Sequence, residues 1–361
     1  MMKIYQLACG DELHYYKKSL VLCFQGPRKV LSTGLNQGGC RSDLQAVFNN
    51  DGNPGPGVQF ALRAGTYREH LDIIAKEDLG LDPEKCTGFC TAASMDNVSI
   101  QSMKHEHFTV TAIVTGGIDG NGGRIGDPAC HSEKPGTINI LLHMDANLLD
   151  GALVKALVSC TEAKVAAIQE LLAPSRYSRG LATGSGTDGI IVVCNTAPEK
   201  KLTDAGQHSK LGEYIGKTVK KAVKEALFLQ TGLCPESQHD IIRRMDRFGV
   251  TEDTLWNAYQ KNMEGKQEQR LPRYAFENKL DGLKTDDSLV TCTSLFAHLL
   301  DQMDWGLLKP KEAWQAGSQI LAMAGMPDFG EMEIPENAAV PWMIRRYLDG
   351  LLRKIEAPKG I

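Results

Sequence analysis

Apolar and polar residues alternate differently along the first 234 positions than along the rest of the chain. Short β-rich runs predict strands over residues 19–24, 29–32, 98–101, 108–115, 137–143 and 189–195. Between the last two, apolar residues three and four positions apart over 149–172 predict a helix packed on a sheet. A second helix is predicted over 210–229, with Ser209 as its N-cap and Gly232 beyond its end.

Residues 235–361 show helical spacing throughout. Helices are predicted there over 236–248, 251–263, 286–303, 310–324 and 336–355. This part holds all four tryptophans but only nine of the 36 glycines. We therefore expect two domains, 1–234 and 235–361. The expected fold class is α+β, a mixed sheet with long helices packed on it, followed by a smaller all-α domain.

Composition narrows the functional class. The 361 residues are 42% hydrophobic and 23% charged, which suits a globular core. A net charge of −4 offers no general attraction to nucleic acid or to a membrane surface. The apolar runs are too short for a membrane span, and Asp11 and Glu12 lie where a secretory signal would be apolar. A cytoplasmic protein with free, scattered cysteines is expected.

Glycine and polar residues concentrate at the ends of predicted strands. Residues 31–39, LSTGLNQGG, favour a turn that contains Asn36. Thr137 and Asn139 share one face of the strand over 137–143, because strand side chains alternate. These two residues either satisfy buried neighbours or line a pocket.

The strand over 108–115 runs directly into a pair of glycines. Thr115 precedes Gly116 and Gly117, and Asn121 and Arg124 follow in a glycine-rich loop. Exposed backbone amides at such a strand end could bind an anion or a carbonyl oxygen. An ordinary strand end followed by a loop is the alternative.

The stretch ATGSGTD, residues 182–188, carries three hydroxyls and a carboxylate within seven positions. These groups belong to Thr183, Ser185, Thr187 and Asp188. The stretch is neither a Walker loop nor a Gly-x-Ser-x-Gly elbow, so nucleotide binding has no specific support. A covalent intermediate on Ser185 or Thr187 stays open as an alternative, although the sequence does not indicate it.

Two helical segments offer further ionisable groups. Glu162 lies in the middle of the first long helix, where a solvent-facing side chain is the ordinary outcome. His208, Lys210 and Glu213 surround the start of the second, where free amides attract a negative group and the side chains could act as acid or base. A capped helix with a surface ion pair explains the same residues.

No metal site is expected from the sequence. His105 and His107 could present two imidazoles on one strand face, but a third ligand is not evident.

Taken in order, the stretches resemble the adenosylcobinamide amidohydrolase family of corrinoid salvage. The resemblance rests on LSTGLNQGG, FTVTAIVTGGI, RIGDP, GTINILL, TEAK, ATGSGTDGIIV and HSKLGEYIG, and it spans about residues 18–232. It implies a hydrolase that cleaves the aminopropanol amide of adenosylcobinamide into adenosylcobyric acid and 1-amino-2-propanol. The corrinoid is then the substrate, and no cofactor is expected.

The resemblance and the needs of amide hydrolysis assign roles to the candidate residues. Glycine loops would supply oxyanion donors, and an acid or base near the second helix would activate water or protonate the leaving amine. The expected catalytic residues are His208, Glu213, Lys210 and Asp188. The expected substrate-binding residues are Asn36, Thr115, Gly116, Gly117, Asn121, Arg124, Thr137, Asn139, Glu162, Thr183, Ser185 and Thr187.

One alternative uses the same loops without catalysis. A non-catalytic corrinoid or nucleotide binding protein would grip a large polar ligand through these glycines and hydroxyls and leave the amide intact. The sequence also leaves open a homo-oligomer and the role of residues 235–361.

Overall fold

The computed structural model describes residues 1–55, 58–129, 136–265, 270–328 and 338–357. Its contacts divide the chain into two units. One unit comprises Met1–Tyr177 and Leu181–Cys234, and the other comprises Ser178–Gly180 and Pro235–Ile361.

Two β-sheets form the centre of the first unit. Its strands are β1 (Met2–Gln6), β2 (Glu12–Tyr16), β3 (Ser19–Cys23), β4 (Arg28–Ser32), β5 (Gly39–Arg41), β6 (Ala46–Asp51), β7 (Cys86–Thr91), β8 (Ser99–His105), β9 (Phe108–Gly117), β10 (Gly122–Gly123), β11 (Thr137–Met144), β12 (Asn147–Leu148), β13 (Gly184–Ser185), β14 (Gly189–Asn195) and β15 (Lys201–Leu202). One sheet has the order β1-β2-β3-β6-β7, and the other has the order β5-β4-β14-β11-β9-β8. Both are mixed, because β6 pairs with β7 and β11 pairs with β14 in parallel while their other neighbours are antiparallel.

The two sheets pack face to face, with helices outside them. Apolar side chains of both sheets, among them Leu22, Phe89 and Leu141, fill the layer between them. The long helices α2 (Asp150–Glu170) and α3 (Lys210–Thr231) cover the other face of the six-stranded sheet. The short helix α1 (Tyr67–Ile73) packs on the outer face of the five-stranded sheet. Strand alternation therefore points every second residue of β11 into the inter-sheet layer.

The second unit is helical over the residues described. Its helices are α4 (Ile241–Met245), α5 (Glu252–Asn262), α6 (Arg273–Lys284), α7 (Asp287–Asp304), α8 (Pro310–Met323) and α9 (Ala339–Glu356). Their shared core includes Phe276 and Tyr347, whose hydroxyl is 3.0 Å from Thr293 Oγ1. Among the described residues, none of the helices is both long and apolar enough to cross a bilayer.

The predicted fold class is confirmed. Among the long helices, α3 has both of its ends where the sequence predicts them. Ser209 Oγ accepts a hydrogen bond from Gly212 N at 3.0 Å, and Gly232 ends the helix with φ +71°. Both ends are set by local chemistry, a hydroxyl N-cap and a left-handed glycine. The predicted strands also fall within β3, β4, β8, β9, β11 and β14 or within one residue of them.

Two sequence-based assignments are wrong. Residues 236–248 do not form one helix, because Asp240 accepts from the amides of Ile242 and Arg243 and starts a new, short helix there. The sequence NNDGNPGPG over residues 49–57 predicts an exposed turn or loop. Asn49 and Asn50 are instead buried at the end of β6. Residues 56 and 57, and the predicted helix start at 336–337, lie outside the described residues.

Candidate functional site

A buried ion pair joins helix α2 to the loop before β14. Lys164 Nζ donates to Asp188 Oδ2, and both side chains are 9% exposed. Asp188 also accepts from Ser185 Oγ at 2.6 Å, Ser185 N at 3.1 Å and Ile138 N at 2.9 Å. Four donors from three segments therefore fix the orientation of this carboxylate.

Hydroxyl groups lie on the solvent side of this pair. Thr187 is exposed and Ser185 is half-buried. Thr187 Oγ1 is 2.7 Å from Thr137 Oγ1 and donates to the Gly136 carbonyl at 3.0 Å. Ser185, Thr187, Thr137 and Asp188, all predicted site residues, thus come together as neighbours.

Three further predicted residues organise the loops around this cluster. Asn121 Nδ2 donates to the Gly136 carbonyl at 2.6 Å, and Arg124 donates to the Leu181 carbonyl at 3.1 Å. Thr183 Oγ1 accepts from an amide of the 121–128 loop at 2.9 Å, and β10 pairs with β13 beside it. These contacts hold the 182–188 loop against its neighbours. Asn121 Oδ1, in contrast, is buried and finds no hydrogen-bond partner in the described part of the chain.

A chain of buried amides links the two sheets next to this cluster. Asn139 Nδ2 donates to Asn49 Oδ1 at 2.8 Å, and Asn49 Nδ2 donates to Thr115 Oγ1 at 2.8 Å. All three residues are at most 2% exposed. Asn139 Oδ1 finds no hydrogen-bond partner within the described part of the chain. Thr115 and Asn139 were predicted, whereas Asn49 was missed because it was assigned to a loop.

Asn36 lies in the turn that the sequence predicts, with a buried side chain although Thr33 and Leu35 beside it are exposed. Its Oδ1 accepts from Gly88 N at 3.1 Å, and its carbonyl accepts from Thr87 Oγ1 at 2.7 Å. A Cβ on Gly38 would lie 2.0 Å from the Gly34 carbonyl oxygen, so this turn requires glycine. Asn36 is 0% exposed and ties the turn to β7, and its Nδ2 finds no hydrogen-bond partner among the described residues.

The expectation that Gly116 and Gly117 expose their amides is wrong. Both are buried at the end of β9 and lie opposite Ile138 and Thr137 of β11. A Cβ on Gly116 would lie 3.3 Å from the Ile138 side chain, and one on Gly117 would lie 3.3 Å from that of Gln230. Close packing therefore accounts for these glycines.

Glu162 lies on the wrong side of α2 to join the cluster. Its side chain is exposed, whereas Lys164 is buried. Two residues turn an α-helix by about 200°, so the two side chains point in nearly opposite directions. Lys164 was not among the predicted site residues, although a lysine at an apolar-face position of the helix pattern is the signal that would have found it.

His208, Lys210 and Glu213 lie elsewhere. Lys210 and Lys217 hold Glu213 at 2.8 and 2.6 Å on the surface of α3, and their hydrogen bonds lower the pKa of Glu213 to about 2. His208 and Lys210 are exposed. This arrangement matches the capped helix with a surface ion pair.

The start of α3 is also far from Asp188. Lys210 lines a cleft of about 460 Å³ together with Phe108, the first residue of β9, whereas Gly117 at the end of β9 packs near the last turn of α3. A ten-residue strand spans about 30 Å. The α3 residues and the Asp188 loop therefore do not act on one bond.

The two histidines considered as metal ligands are not on one strand face. His105 ends β8, and His107 lies in the turn before β9. Their rings contact each other with centroids 5.8 Å apart, and His105 also stacks on Phe108. Aromatic packing at a hairpin explains the pair.

We expect Gly212→Ala to destabilise the protein although alanine is the better helix former. A Cβ at Gly212 would lie 2.0 Å from the Gly206 carbonyl oxygen, a backbone atom that cannot move alone, so we expect a loss of about 1–3 kcal/mol. Gly216, on the same helix, has open space around it, and Gly216→Ala should instead stabilise by up to about 1 kcal/mol. Urea unfolding measures both, and a gain in stability for both variants would contradict the packing argument.

Comparison with known proteins covers the first unit. A family model described as adenosylcobinamide amidohydrolase matches residues 5–235. An uncharacterized protein of Methanocaldococcus jannaschii is 33% identical over 232 residues, which cover 59% of this chain and 87% of that protein. The adenosylcobinamide amidohydrolase of Methanosarcina mazei is 28% identical over 226 residues, 60% of this chain and 99% of that protein.

A comparison of structures gives a weaker likeness. The crystal structure of the PH0078 protein from Pyrococcus horikoshii OT3 has a TM-score of 0.29 and 12% identity, covering 63% of this chain and 81% of that chain. The family model, in contrast, matches well over half of the 361 residues. The chain belongs to the adenosylcobinamide amidohydrolase family.

Proposed function

We propose that the chain hydrolyses the aminopropanol amide bond of adenosylcobinamide to adenosylcobyric acid and 1-amino-2-propanol. Membership of the family supports an amidohydrolase and a corrinoid substrate. The observation that carries the proposed location is the buried Lys164–Asp188 pair, covered on its solvent side by the hydroxyls of Ser185 and Thr187.

The reaction needs a group that stabilises negative charge and supplies a proton. Water adds its oxygen to the carbonyl carbon, the C–N bond breaks, and its electron pair leaves with the nitrogen, which is protonated. The ammonium group of Lys164 has three N–H donors, and one of them donates a hydrogen bond to Asp188. In the proposal the remaining donors of Lys164 stabilise the oxyanion, one of its protons goes to the departing amine, and the proton that the attacking water loses restores the ammonium.

The neighbouring residues have separate roles in this proposal. Ser185 and Thr187, at the surface, hydrogen-bond the substrate amide. Asp188 is a positioning residue, because its oxygens already accept four hydrogen bonds and hold the lysine in place. The buried residues Asn139 and Thr115 fix the strand ends and do not touch the substrate.

The test is a time course with the purified full chain and adenosylcobinamide. We expect mass spectrometry to show adenosylcobyric acid and 1-amino-2-propanol appearing in equal amounts. A change in the corrinoid absorption spectrum on mixing, with the amide intact after prolonged incubation, would overturn the proposal in favour of a corrinoid binding protein.

A further inference from the structure

A second buried polar cluster lies at the opposite end of the inter-sheet layer. It consists of Cys9, Asp11 and His143. Cys9 Sγ is 3.5 Å from His143 Nε2, and His143 Nε2 is 3.1 Å from Asp11 Oδ2. Asp11 and His143 are at most 1% exposed, and Cys9 is half-buried. The mechanism proposed above uses none of these residues.

Local structure brings the three side chains together. Cys9 and Asp11 lie in the turn between β1 and β2, which the Leu7 amide closes by donating to the Asp11 carbonyl at 2.8 Å. Gly10 between them has φ +93°, which suits glycine. His143, on the central strand β11, points into the inter-sheet layer and meets this turn.

We propose that Cys9, Asp11 and His143 bind one divalent transition-metal ion of the Zn²⁺ class. Thiolate, imidazole and carboxylate are the donors that Zn²⁺ uses in proteins. Tetrahedral angles and ordinary Zn–ligand bond lengths place sulfur and nitrogen about 3.5 Å apart, and nitrogen and oxygen about 3.3 Å apart. The two distances in the cluster, 3.5 and 3.1 Å, match this spacing. Three protein ligands leave a fourth position for water.

The groups around the cluster orient the carboxylate. Arg28 donates to both oxygens of Asp11, from Nε at 2.7 Å and from Nη2 at 2.6 Å, and the backbone N–H of Gln25 donates to Asp11 Oδ1 at 2.7 Å. Hydrogen bonds of this kind fix metal-binding carboxylates and strengthen their binding. His143 binds through Nε2, so its proton is on Nδ1 when the metal is bound.

The charges balance when the metal is present. A thiolate at Cys9 and the Asp11 carboxylate neutralise an ion of charge +2, and binding releases the thiol proton to the solvent. The remaining positive charge, on Arg28, is compensated by Asp145, to which it is connected through Asn195. The guanidinium therefore does not leave the loaded site with excess positive charge.

This site is independent of the proposed amidohydrolase site. His143 and Thr137 lie six residues apart on β11, about 20 Å along the strand. Metal binding would clamp the β1–β2 turn onto the central strand, and its test does not depend on turnover.

Co²⁺ is the probe, added to the chelator-treated full chain. We expect one equivalent to bind with a near-ultraviolet thiolate-to-Co²⁺ charge-transfer band. Cys9→Ser should abolish the band and weaken binding more than about a hundredfold, since even outer-shell changes cost 10–100-fold. Cys40→Ser, at an exposed cysteine, is the matched control and should bind as the unaltered chain does.

A second measurement guards against a folding defect. Zn²⁺ should raise the Tm of the unaltered chain and of Cys40→Ser but not of Cys9→Ser, with circular dichroism showing that all three are folded. Absence of the band in the unaltered chain, or a band that persists in Cys9→Ser, would overturn the proposal.

Discussion

Replacing Lys164 with methionine is expected to lower the turnover of adenosylcobinamide by about a hundredfold or more, the usual effect of removing a general acid or an oxyanion donor. Methionine keeps an unbranched apolar stem in the core but removes the ammonium that Asp188 holds. The kcat should fall more than KM changes, because the missing charge acts on the transition state.

Folding is checked with the double variant Lys164→Met, Asp188→Asn. Lys164→Met alone leaves a buried carboxylate without its cation, which costs stability, and the double variant removes both charges. We expect it to be more stable than the single variant and equally inactive. Recovery of turnover in the double variant would show that the ammonium is dispensable.

Glu213→Gln is the matched control at the other candidate position. It removes the two surface ion pairs of Glu213 with Lys210 and Lys217 at the start of α3, about 30 Å from Gly117 along the length of β9, and exposed pairs of this kind contribute little to stability. We expect turnover within about twofold of the unaltered chain, since the geometry gives this residue no contact with the reacting bond. A loss as large as that of Lys164→Met would return catalysis to the start of α3.

Replacing Arg28 with methionine is expected to destabilise the chain by about 3–5 kcal/mol, the usual cost of unpairing a buried charge. Burial raises the pKa of Asp11, but hydrogen bonds from His143 and Arg28 outweigh that effect and lower it to about 2. Asp11 is therefore ionised at neutral pH, and it is 0% exposed. Urea unfolding at pH 7 measures the loss of stability. A chelator in the buffer prevents a metal ion from replacing the missing positive charge of the guanidinium.

Arg41 supplies the matched control for this stability prediction. It also pairs with an aspartate, Asp43, but both side chains are partly exposed, at 29% and 46%. Arg41→Met should cost at most about 1 kcal/mol. Equal losses for Arg28→Met and Arg41→Met would contradict the assignment of Arg28 to a buried, obligatory pair.

The sequence predicts the elements of this fold better than their arrangement. Helix α3 is predicted correctly from Lys210 onward because a serine cap and a terminal glycine are local signals. The short strands β1, β2, β6 and β7 and the helices α1 and α6 were not predicted. Strand order in the two sheets depends on contacts between distant residues, and a hydrophobic pattern does not contain them.

In the candidate site, too, residues that are close in sequence were predicted correctly, and contacts between distant residues were not. Ser185, Thr187 and Asp188 are close in sequence and remain together in the fold, with Thr137 beside them. His208 and Glu213 resemble catalytic residues by type, but the pattern does not tell which end of a strand a helix start adjoins. Cys9 and His143 are 134 positions apart, so no local spacing indicates their contact.

The most direct test of the proposed hydrolysis is the reaction in water enriched in oxygen-18. Adenosylcobinamide incubated with the full chain should give free 1-amino-2-propanol and adenosylcobyric acid that carries one heavy oxygen in its new carboxylate. Adenosylcobinamide recovered unchanged, under conditions where the folded protein binds it, would contradict the account.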